Sequence, residues 1–556
     1  MDRERASEVG LGIKNRFRAK LALALIIALF SGTAPAQTPP PQDAVRARAV
    51  TQTQNAPQSA PVPSPMPSAP PHPAGFVPAT TRTIGELRAA IEEILHQPEL
   101  APAQFAAKVV SLDTGRTLFE LNADKFMQPA SNMKLYTIAA ALDRLGPDFR
   151  FTTSVYAQTR PDASGKIRGD LIIYGRGDPT FAARFYDGDY YRAIDELAEK
   201  IVAAGVRRIE GDLIADESYF DGIPFGSGWE VDDLQWYYGA EISALTINDN
   251  SLDLFVKPGK RAGEPGTVTT GPETSLLKII NRTVTAPRGA RRKLYVYRPL
   301  GENTLEVGGA LPEDDPGYTA SVSISHPALL FASLLRSALE KRGVKIRGKT
   351  RTIDAYMRRT APFDPSSLIE IAQRQSPPLG QIIAQTLKPS QNLYTELILR
   401  ALGNATRIDP KQSSEEAGIE AVKQFLRKAG IDEDRVQMVD GSGLSRSNLV
   451  TATTTVQLLT YMSRHRYAQV FRDALPIAGV DGTLRNRMRG TAAEGNVRAK
   501  TGTINNAASL SGYVTTAAGE RLVFSLIVNN LPREADARRV YLDAIAILLA
   551  MFAGRS

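Results

Sequence analysis

A long β-rich stretch separates two parts of this chain that each combine helical and strand-like patterns. Residues 151–362 contain short β-like runs, such as Lys293 to Tyr297, and only two helical patterns interrupt them. The flanking stretches, 83–150 and 363–556, alternate amphipathic helices with strands, and a sheet covered by helices buries both patterns. We therefore predict a discontinuous α/β (α+β) domain over 83–150 and 363–556, with one or two β-rich domains inserted at 151–362.

The N-terminal segment does not have the composition of a folded domain. Basic residues precede a short apolar run at 21–30, and small residues follow at 34–36, which is typical of a cleavable export signal. The run is too short for an ordinary membrane span, and an uncleaved anchor is the alternative. Residues 37–82 are rich in Pro, Ala and Gln, which is typical of a disordered linker. We therefore predict a signal peptide at 1–36 and a periplasmic protein.

The residue counts exclude several classes of site. The chain contains no cysteine, so disulfides, thiolate nucleophiles and zinc–thiolate centres cannot form. Its four histidines do not occur in an arrangement typical of a metal site or of a Ser-His-Asp triad. The net charge is a modest +8, and no basic block contains interleaved aromatic residues. We therefore expect no metal, no cofactor and no nucleic-acid partner.

Ser131 and Lys134 begin a predicted helix, and their spacing places both side chains on one face. A serine hydroxyl is a weak nucleophile until a nearby base removes its proton. A lysine in a dry site near other cations can lose its own proton and become that base. About two Ser-x-x-Lys matches are expected by chance in a chain of this length, so a capping serine with a surface lysine is the structural alternative.

Two further motifs follow in the chain. Ser390-Gln391-Asn392 precedes a helical pattern, and Lys500-Thr501-Gly502-Thr503 ends the first of three predicted antiparallel strands over 496–530. A strand edge with a lysine, hydroxyls and a glycine suits the carboxylate end of an approaching peptide, since glycine leaves room for close backbone approach. Only about one tenth of a Lys-Thr-Gly match is expected by chance. A plain β-turn with a solvated lysine is the alternative.

Taken in this order, the three motifs resemble those of the serine penicillin-binding proteins and β-lactamases. The long separation of Ser131 and Ser390 is similar to that in the class C low-molecular-mass penicillin-binding proteins, also called the S13 family of D-alanyl-D-alanine carboxypeptidase/endopeptidases. In that family, extra domains lie between the first two motifs. The segments Asp440 to Ser445 and Asp481 to Leu484 look similar as well, and the resemblance covers about 83–552.

The resemblance implies a fold, an activity and partners. The fold is a penicillin-binding transpeptidase-like domain, with an antiparallel sheet covered by helices. The activity is that of a serine DD-peptidase that removes terminal D-alanine from peptidoglycan stem peptides, and that cleaves D-alanyl cross-links if its groove admits a second stem peptide. The implied partners are stem peptides and β-lactam antibiotics, which act as covalent inhibitors. Peripheral membrane contact and homo-oligomerisation are left open.

Carried over by motif, the resemblance also implies catalytic roles. Ser131 is expected to be the nucleophile and Lys134 its general base. Ser390, between Lys134 and Lys500, is expected to relay a proton to the departing amine, while Lys500 supplies positive potential. The backbone amides of Ser131 and Thr503 are expected to form an oxyanion hole.

The same resemblance implies substrate-binding roles. Asn392 is expected to bond a backbone carbonyl of the substrate. Thr501, Gly502 and Thr503 are expected to hold its terminal carboxylate together with the motif lysine. Asp178 either grips a cationic group of the stem peptide, such as a diaminopimelate amine, or is a turn residue in a Gly-Asp-Pro corner.

Two alternative functions stay open. A β-lactamase needs a well-placed base for fast deacylation, and no segment after Ser131 carries the expected motif. A non-catalytic penicillin-binding or wall-binding protein could keep the fold, although three intact motifs argue against it. Hydrolysis of a chromogenic cephalosporin identifies the first alternative, and release of D-alanine from a pentapeptide excludes the second.

Overall fold

The computed structural model describes residues 80–531 and 537–556. The predicted signal peptide and nearly all of the predicted linker lie outside these residues. Within the described ranges, no helix combines the length and apolar character that a membrane span requires.

The described chain contains both helices and strands, numbered here in chain order. The helices are α1 (Ile84–Leu95), α2 (Met133–Leu145), α3 (Arg192–Ala203), α4 (Pro327–Lys341), α5 (Ala355–Arg358), α6 (Leu379–Leu387), α7 (Asn392–Thr406), α8 (Ser414–Lys428), α9 (Ala452–Ser463), α10 (Ala468–Asp473) and α11 (Ala537–Met551). The strands are β1 (Gln104–Ser111), β2 (Thr117–Leu121), β3 (Thr152–Ala157), β4 (Lys166–Ile167), β5 (Leu171–Tyr174), β6 (Arg208–Ile209), β7 (Leu213–Asp216), β8 (Ser251–Lys257), β9 (Thr267–Gly271), β10 (Lys278–Ala286), β11 (Lys293–Tyr297), β12 (Thr304–Pro312), β13 (Tyr318–Ser323), β14 (Lys345–Ile346), β15 (Thr350–Ile353), β16 (Ile369–Gln375), β17 (Val436–Gln437), β18 (Leu449–Val450), β19 (Arg498–Ile504), β20 (Ala507–Thr515) and β21 (Arg521–Asn529).

One five-stranded antiparallel sheet joins the two ends of the chain, in the order β19-β20-β21-β1-β2. Strand β1 pairs with β21 along its whole length, from Gln104 opposite Asn529 to Ser111 opposite Leu522. The hairpin β1-β2 and the three predicted C-terminal strands therefore belong to the same sheet. Strand β19 forms one edge, so the Lys-Thr-Gly motif lies on an edge strand.

Helices cover both faces of this sheet, as the alternation of side chains along β21 requires. Phe524 and Leu526 pack on one face with α1 and α11, while Val523 and Ile527 pack on the other face with α2, α7 and α9. This antiparallel sheet between helical layers confirms the predicted fold class. Helix α2 is buried on nearly every side, because other helices surround it.

The middle of the chain has its own sheets and its own apolar core. A five-stranded mixed sheet has the order β15-β7-β5-β3-β16, and three-stranded sheets follow the orders β14-β6-β4, β13-β8-β9 and β10-β12-β11. Helices α3 and α4 pack against each other in this core. Strand β16 lies after residue 362, so the mixed sheet extends past the predicted end of the inserted region.

Candidate active site

Ser131 lies in a 3-10 turn, Ala130–Asn132, that leads directly into α2. The Nζ atom of Lys134 is 3.0 Å from its Oγ atom. Ser131 is partly exposed, whereas Lys134 is completely buried. Burial lowers the pKa of Lys134 to about 7, because the charged ammonium loses its hydration, and the negative charges of Asp440 and Glu396 oppose this shift. Near neutral pH, part of the Lys134 population is therefore unprotonated and its amine has a free lone pair.

Two further oxygen atoms fix the position of the Lys134 amine. Its Nζ atom donates to Oδ1 of Asn392 at 2.6 Å and to the backbone carbonyl of Ser442 at 2.7 Å. The Asn392 side chain is itself held, since its Nδ2 atom donates to the carbonyl of Tyr238 at 2.9 Å. The first and second sequence motifs therefore meet directly, and a carbonyl from the inserted region orients the asparagine.

Lys500 and Ser390 form a second contact pair. The Nζ atom of Lys500 donates to Oγ of Ser390 and to the carbonyl of Thr501, both at 2.8 Å. Lys500 is completely buried, and its pKa is lowered first by burial and then by the positive charges of Lys134 and Arg487. Each catalytic motif lysine thus contacts a serine hydroxyl, and the two lysines are close enough to repel each other.

Strained backbone occurs at both serine motifs. Ala130, immediately before Ser131, has φ 48°, and Ser390 has φ 65°. Residues with a Cβ atom rarely adopt this left-handed region, which costs about 1–2 kcal/mol per residue. Tight packing holds the first turn, because a Cβ atom on Gly443 would lie 1.9 Å from the carbonyl oxygen of Ala130. Such outliers cluster at functional sites.

The Lys-Thr-Gly motif lies in the middle of β19, and the expectation that it ends the strand was wrong, since pairing with β20 continues to Ile504 opposite Ala507. A Cβ atom on Gly502 would lie 2.1 Å from Oγ of Ser509 and 2.6 Å from the carbonyl oxygen of Pro129. The glycine therefore lets the strand pack against the turn that carries the nucleophile. The sequence had suggested room for substrate instead.

The hydroxyl groups around this strand differ in exposure. Oγ1 of Thr501 donates to Oγ1 of Thr483 at 2.7 Å and is mostly buried, whereas Thr503 is exposed. The structure thus brings the three motifs together, while among the described hydrogen bonds the hydroxyl of Thr503 bonds only the carbonyl of Gly502. Ser131, Lys134 and Asn392 form one hydrogen-bonded group, and Ser390, Lys500 and Thr501 form its neighbour.

Among the described hydrogen bonds and ion pairs, none joins Asp178 to these two groups. Its carboxylate is 1% exposed, and it accepts from Nη1 of Arg374 at 2.7 Å. It also accepts from the amide and the hydroxyl of Thr180, at 2.8 Å and 2.7 Å. These contacts correspond to the turn-residue interpretation, while the substrate-binding role stays a prediction.

A substitution at Asp178 separates the two interpretations. Asp178→Asn removes the charge that balances buried Arg374, and breaking such a pair costs about 3–5 kcal/mol. We expect a lower free energy of unfolding in urea and an unchanged KM for a pentapeptide, whereas Asp124→Asn, at an exposed position, changes neither. A tenfold higher KM with unchanged stability would support the substrate-binding role.

Sequence reasoning missed Glu396 and the carbonyl contacts of Tyr238 and Ser442, although Ser442 lies in a segment that resembles the family. Glu396 lies one turn after Asn392 on α7 and is completely buried. That i,i+4 spacing from a motif residue was the available signal. The other two contribute backbone carbonyls, which no residue pattern identifies.

Comparisons with known proteins are consistent with this geometry. The family model of the D-Ala-D-Ala carboxypeptidase 3 (S13) family matches residues 87–551. A D-alanyl-D-alanine carboxypeptidase of Actinomadura sp. (strain R39) is 37% identical over 487 residues, which is 86% of each chain. The D-alanyl-D-alanine carboxypeptidase DacB of Haemophilus influenzae is 27% identical over 435 residues, 78% of this chain and 86% of that one. The crystal structure of penicillin binding protein 4 (dacB) from Haemophilus influenzae superposes with a TM-score of 0.71 at 25% identity, covering 82% of this chain and 97% of that one.

Proposed function

Because the chain belongs to the S13 family of D-Ala-D-Ala carboxypeptidases, we propose that it removes the terminal D-alanine of peptidoglycan stem peptides through an acyl-enzyme on Ser131. The predicted family is thereby confirmed. The observation that carries the proposed mechanism is the 3.0 Å contact between the buried Lys134 amine and the partly exposed Ser131 hydroxyl.

The surroundings of Lys134 suit a general base. A neutral amine has two N–H groups and one lone pair. Oδ1 of Asn392 and the carbonyl of Ser442 accept the two N–H groups, which leaves the lone pair for the Ser131 hydroxyl proton. As that proton moves to Lys134, the Ser131 oxygen attacks the carbonyl carbon of the penultimate D-alanine and forms a tetrahedral intermediate.

The second contact pair suits the release of the leaving group. When the intermediate collapses, the peptide C–N bond breaks and the Ser131 ester remains. The departing amine needs a proton, which passes from Lys134 through the Ser390 hydroxyl, and Lys500 orients that hydroxyl from 2.8 Å. Free D-alanine leaves, and water then hydrolyses the ester to regenerate the serine.

Strand β19 suits the binding of the peptide end. The terminal carboxylate is proposed to lie against Lys500, Thr501 and Thr503, and its negative charge raises the pKa of the buried Lys500 amine again. Because β19 is an edge strand, some of its amides point away from the sheet. The Thr503 amide, together with the Ser131 amide, is proposed to hold the oxyanion, a feature typically worth about 3–4 kcal/mol per donor.

The pH dependence of acylation follows from the pKa of Lys134. Protonated Lys134 cannot accept the serine proton, so the second-order acylation rate constant is expected to rise about tenfold per pH unit up to about 7 and then level. Stopped-flow acylation by a chromogenic β-lactam between pH 5 and 9 measures it. A rate constant that is flat over this range contradicts a lysine base.

A direct assay tests the proposed activity. The purified protein is incubated with a synthetic pentapeptide ending in D-alanyl-D-alanine, and released D-alanine is measured, with the L-alanyl-L-alanine peptide as control. Release from the first peptide alone is expected. Rapid turnover of a chromogenic cephalosporin would instead identify a β-lactamase, and penicillin binding without D-alanine release would identify a non-catalytic protein. Cross-linked muropeptide dimers, digested in parallel, measure endopeptidase activity.

The remaining partners follow from the same chemistry. A β-lactam presents a reactive amide carbonyl to Ser131 and a carboxylate to Lys500, so it is proposed to act as a slowly released covalent inhibitor. Stem peptides lie outside the cytoplasmic membrane, and the export signal predicted at 1–36 supports a periplasmic location.

A further inference from the structure

Residues 440–445 form a loop, here called the 440–445 loop, between the paired strands β17 and β18. This loop contacts α2 through two backbone carbonyls. The carbonyl of Ser442 accepts from Nζ of Lys134 at 2.7 Å, and the carbonyl of Gly441 accepts from Oγ1 of Thr137 at 2.8 Å. A shift of the loop therefore moves an acceptor that holds the amine of Lys134.

Glu396 holds this loop from the opposite side. It lies one turn after Asn392 on α7 and is completely buried. Its Oε1 atom accepts from the amide of Ser442 at 2.7 Å, and its Oε2 atom accepts from the amide of Gly441 at 3.2 Å. One carboxylate thus binds two successive amides, and one of them belongs to the residue whose carbonyl holds Lys134.

The other end of the loop is held by Asp440. This buried carboxylate accepts from the amides of Gly443 and Ser445, at 2.7 Å and 2.8 Å. It also accepts from Nε1 of Trp229 at 2.8 Å, so the inserted region contributes to the same support. Asn448 also donates to the Asp440 carboxylate and to the Ser445 carbonyl, at 2.8 Å and 2.9 Å. Two acids, one tryptophan and this asparagine therefore support the loop.

Resting on the proposed function of Lys134, we propose that Glu396 is a positioning residue for catalysis. By binding the amides of the 440–445 loop, it places the Ser442 carbonyl so that the amine of Lys134 points at the Ser131 hydroxyl. Catalytic groups tolerate little displacement, since a misplacement of about 1 Å can cost about 100-fold in rate.

The charges around these groups determine how a substitution acts. Asp440 and Glu415 face Glu396 with like charge and Arg400 with opposite charge, and burial with this repulsion raises the pKa of Glu396 to about 8. Lys134 is faced by the acids Asp440 and Glu396 and by the amine of Lys500. Because the pKa of Glu396 lies above that of Lys134, Glu396 is largely neutral where Lys134 titrates, and its exchange for glutamine removes little charge there. Glutamine has one acceptor oxygen where two amides need acceptors.

The test compares Glu396→Gln with Glu415→Gln. Glu415 is the matched control because it belongs to the same buried charge network but contacts Ser227, outside the loop. We measure thermal melting and the acylation rate constant for a chromogenic β-lactam from pH 5 to 9. Glu396→Gln is expected to acylate about 100-fold more slowly at pH 9, where the wild-type carboxylate is mostly ionised. The pH midpoint of its acylation is expected to stay near 7, because Glu396 is largely neutral where Lys134 titrates. Glu415→Gln is expected to stay within about threefold of the wild type.

Two further variants make the outcome decisive. Glu396→Asp keeps the carboxyl group but shortens the side chain, so it is expected to acylate slowly as well, with the same pH midpoint. If neither Glu396 variant folds, Trp229→Phe, which removes one donor from the loop support, carries the test, and a rate equal to that of the wild type overturns the proposal. A folded Glu396→Gln variant with wild-type acylation, or an equal loss in Glu415→Gln, also overturns it. Failure of the proposed function appears separately, as unimpaired acylation of Ser131→Ala.

Discussion

Replacement of Ser131 by alanine is expected to abolish D-alanine release, with a fall in kcat of at least about 10⁴-fold. The hydroxyl is the atom proposed to form the ester, and no other group can replace it in the 3.0 Å contact with Lys134. The side chain is partly exposed and its Oγ atom contacts only that amine among the described hydrogen bonds, so the variant should fold normally. D-alanine release from the pentapeptide, at saturating substrate, measures the effect.

A matched variant controls for general damage to the protein. Ser447 is an exposed serine in the hairpin beside the site, and Ser447→Ala is expected to keep wild-type activity. Both variants should melt within a degree or two of the wild type. Activity in Ser131→Ala above about one per cent of the wild-type value would mean that another nucleophile reacts.

Replacement of Lys134 by arginine is expected to slow acylation by about 10³-fold, within the range that a lost general base produces. Arginine keeps the positive charge but does not give up its proton in proteins, so it cannot accept the proton of Ser131. The acylation rate constant that remains should no longer increase between pH 5 and 7, because the variant lacks the lysine that titrates near pH 7. Stopped-flow acylation of the folded variant measures both effects.

Lys500→Arg is the control for this second prediction. Its proposed role needs a positive charge near the substrate carboxylate, which arginine retains, so a loss of only about tenfold is expected. Both lysines are completely buried, so the larger guanidinium strains both sites and the comparison is balanced. If Lys500→Arg loses more activity than Lys134→Arg, then Lys500 is the base.

The motif spacing predicted which serine and lysine would meet at the start of α2, because three residues span about one helical turn. It could not predict that Lys500 contacts Ser390 while Lys134 contacts Asn392, since both contacts join segments far apart in the chain. The resemblance to a known family supplied the expectation that Ser390 lies beside Lys500, whereas the contact between Lys134 and Asn392 was not predicted. The tertiary fold supplies the distances.

Contacts made by backbone groups could not be predicted from the sequence. The carbonyl of Ser442 holds Lys134, but a carbonyl is common to every residue and leaves no mark on a sequence. Gly502 was predicted from its motif, yet the contact that requires glycine is with Pro129 and Ser509. Strand β16 follows the boundary predicted at residue 362, but it pairs with β3 in the inserted region's sheet, and only the pairing reveals where it belongs.

Peptide mapping after reaction with penicillin tests the central claim most directly. Trypsin is expected to release residues 126–134 as one peptide, in which Ser131 is the only hydroxyl-bearing residue. The proposed mechanism predicts a single penicillin adduct, carried by this peptide in the wild-type protein. An adduct on the peptide that contains Ser390, with residues 126–134 unmodified, would contradict it.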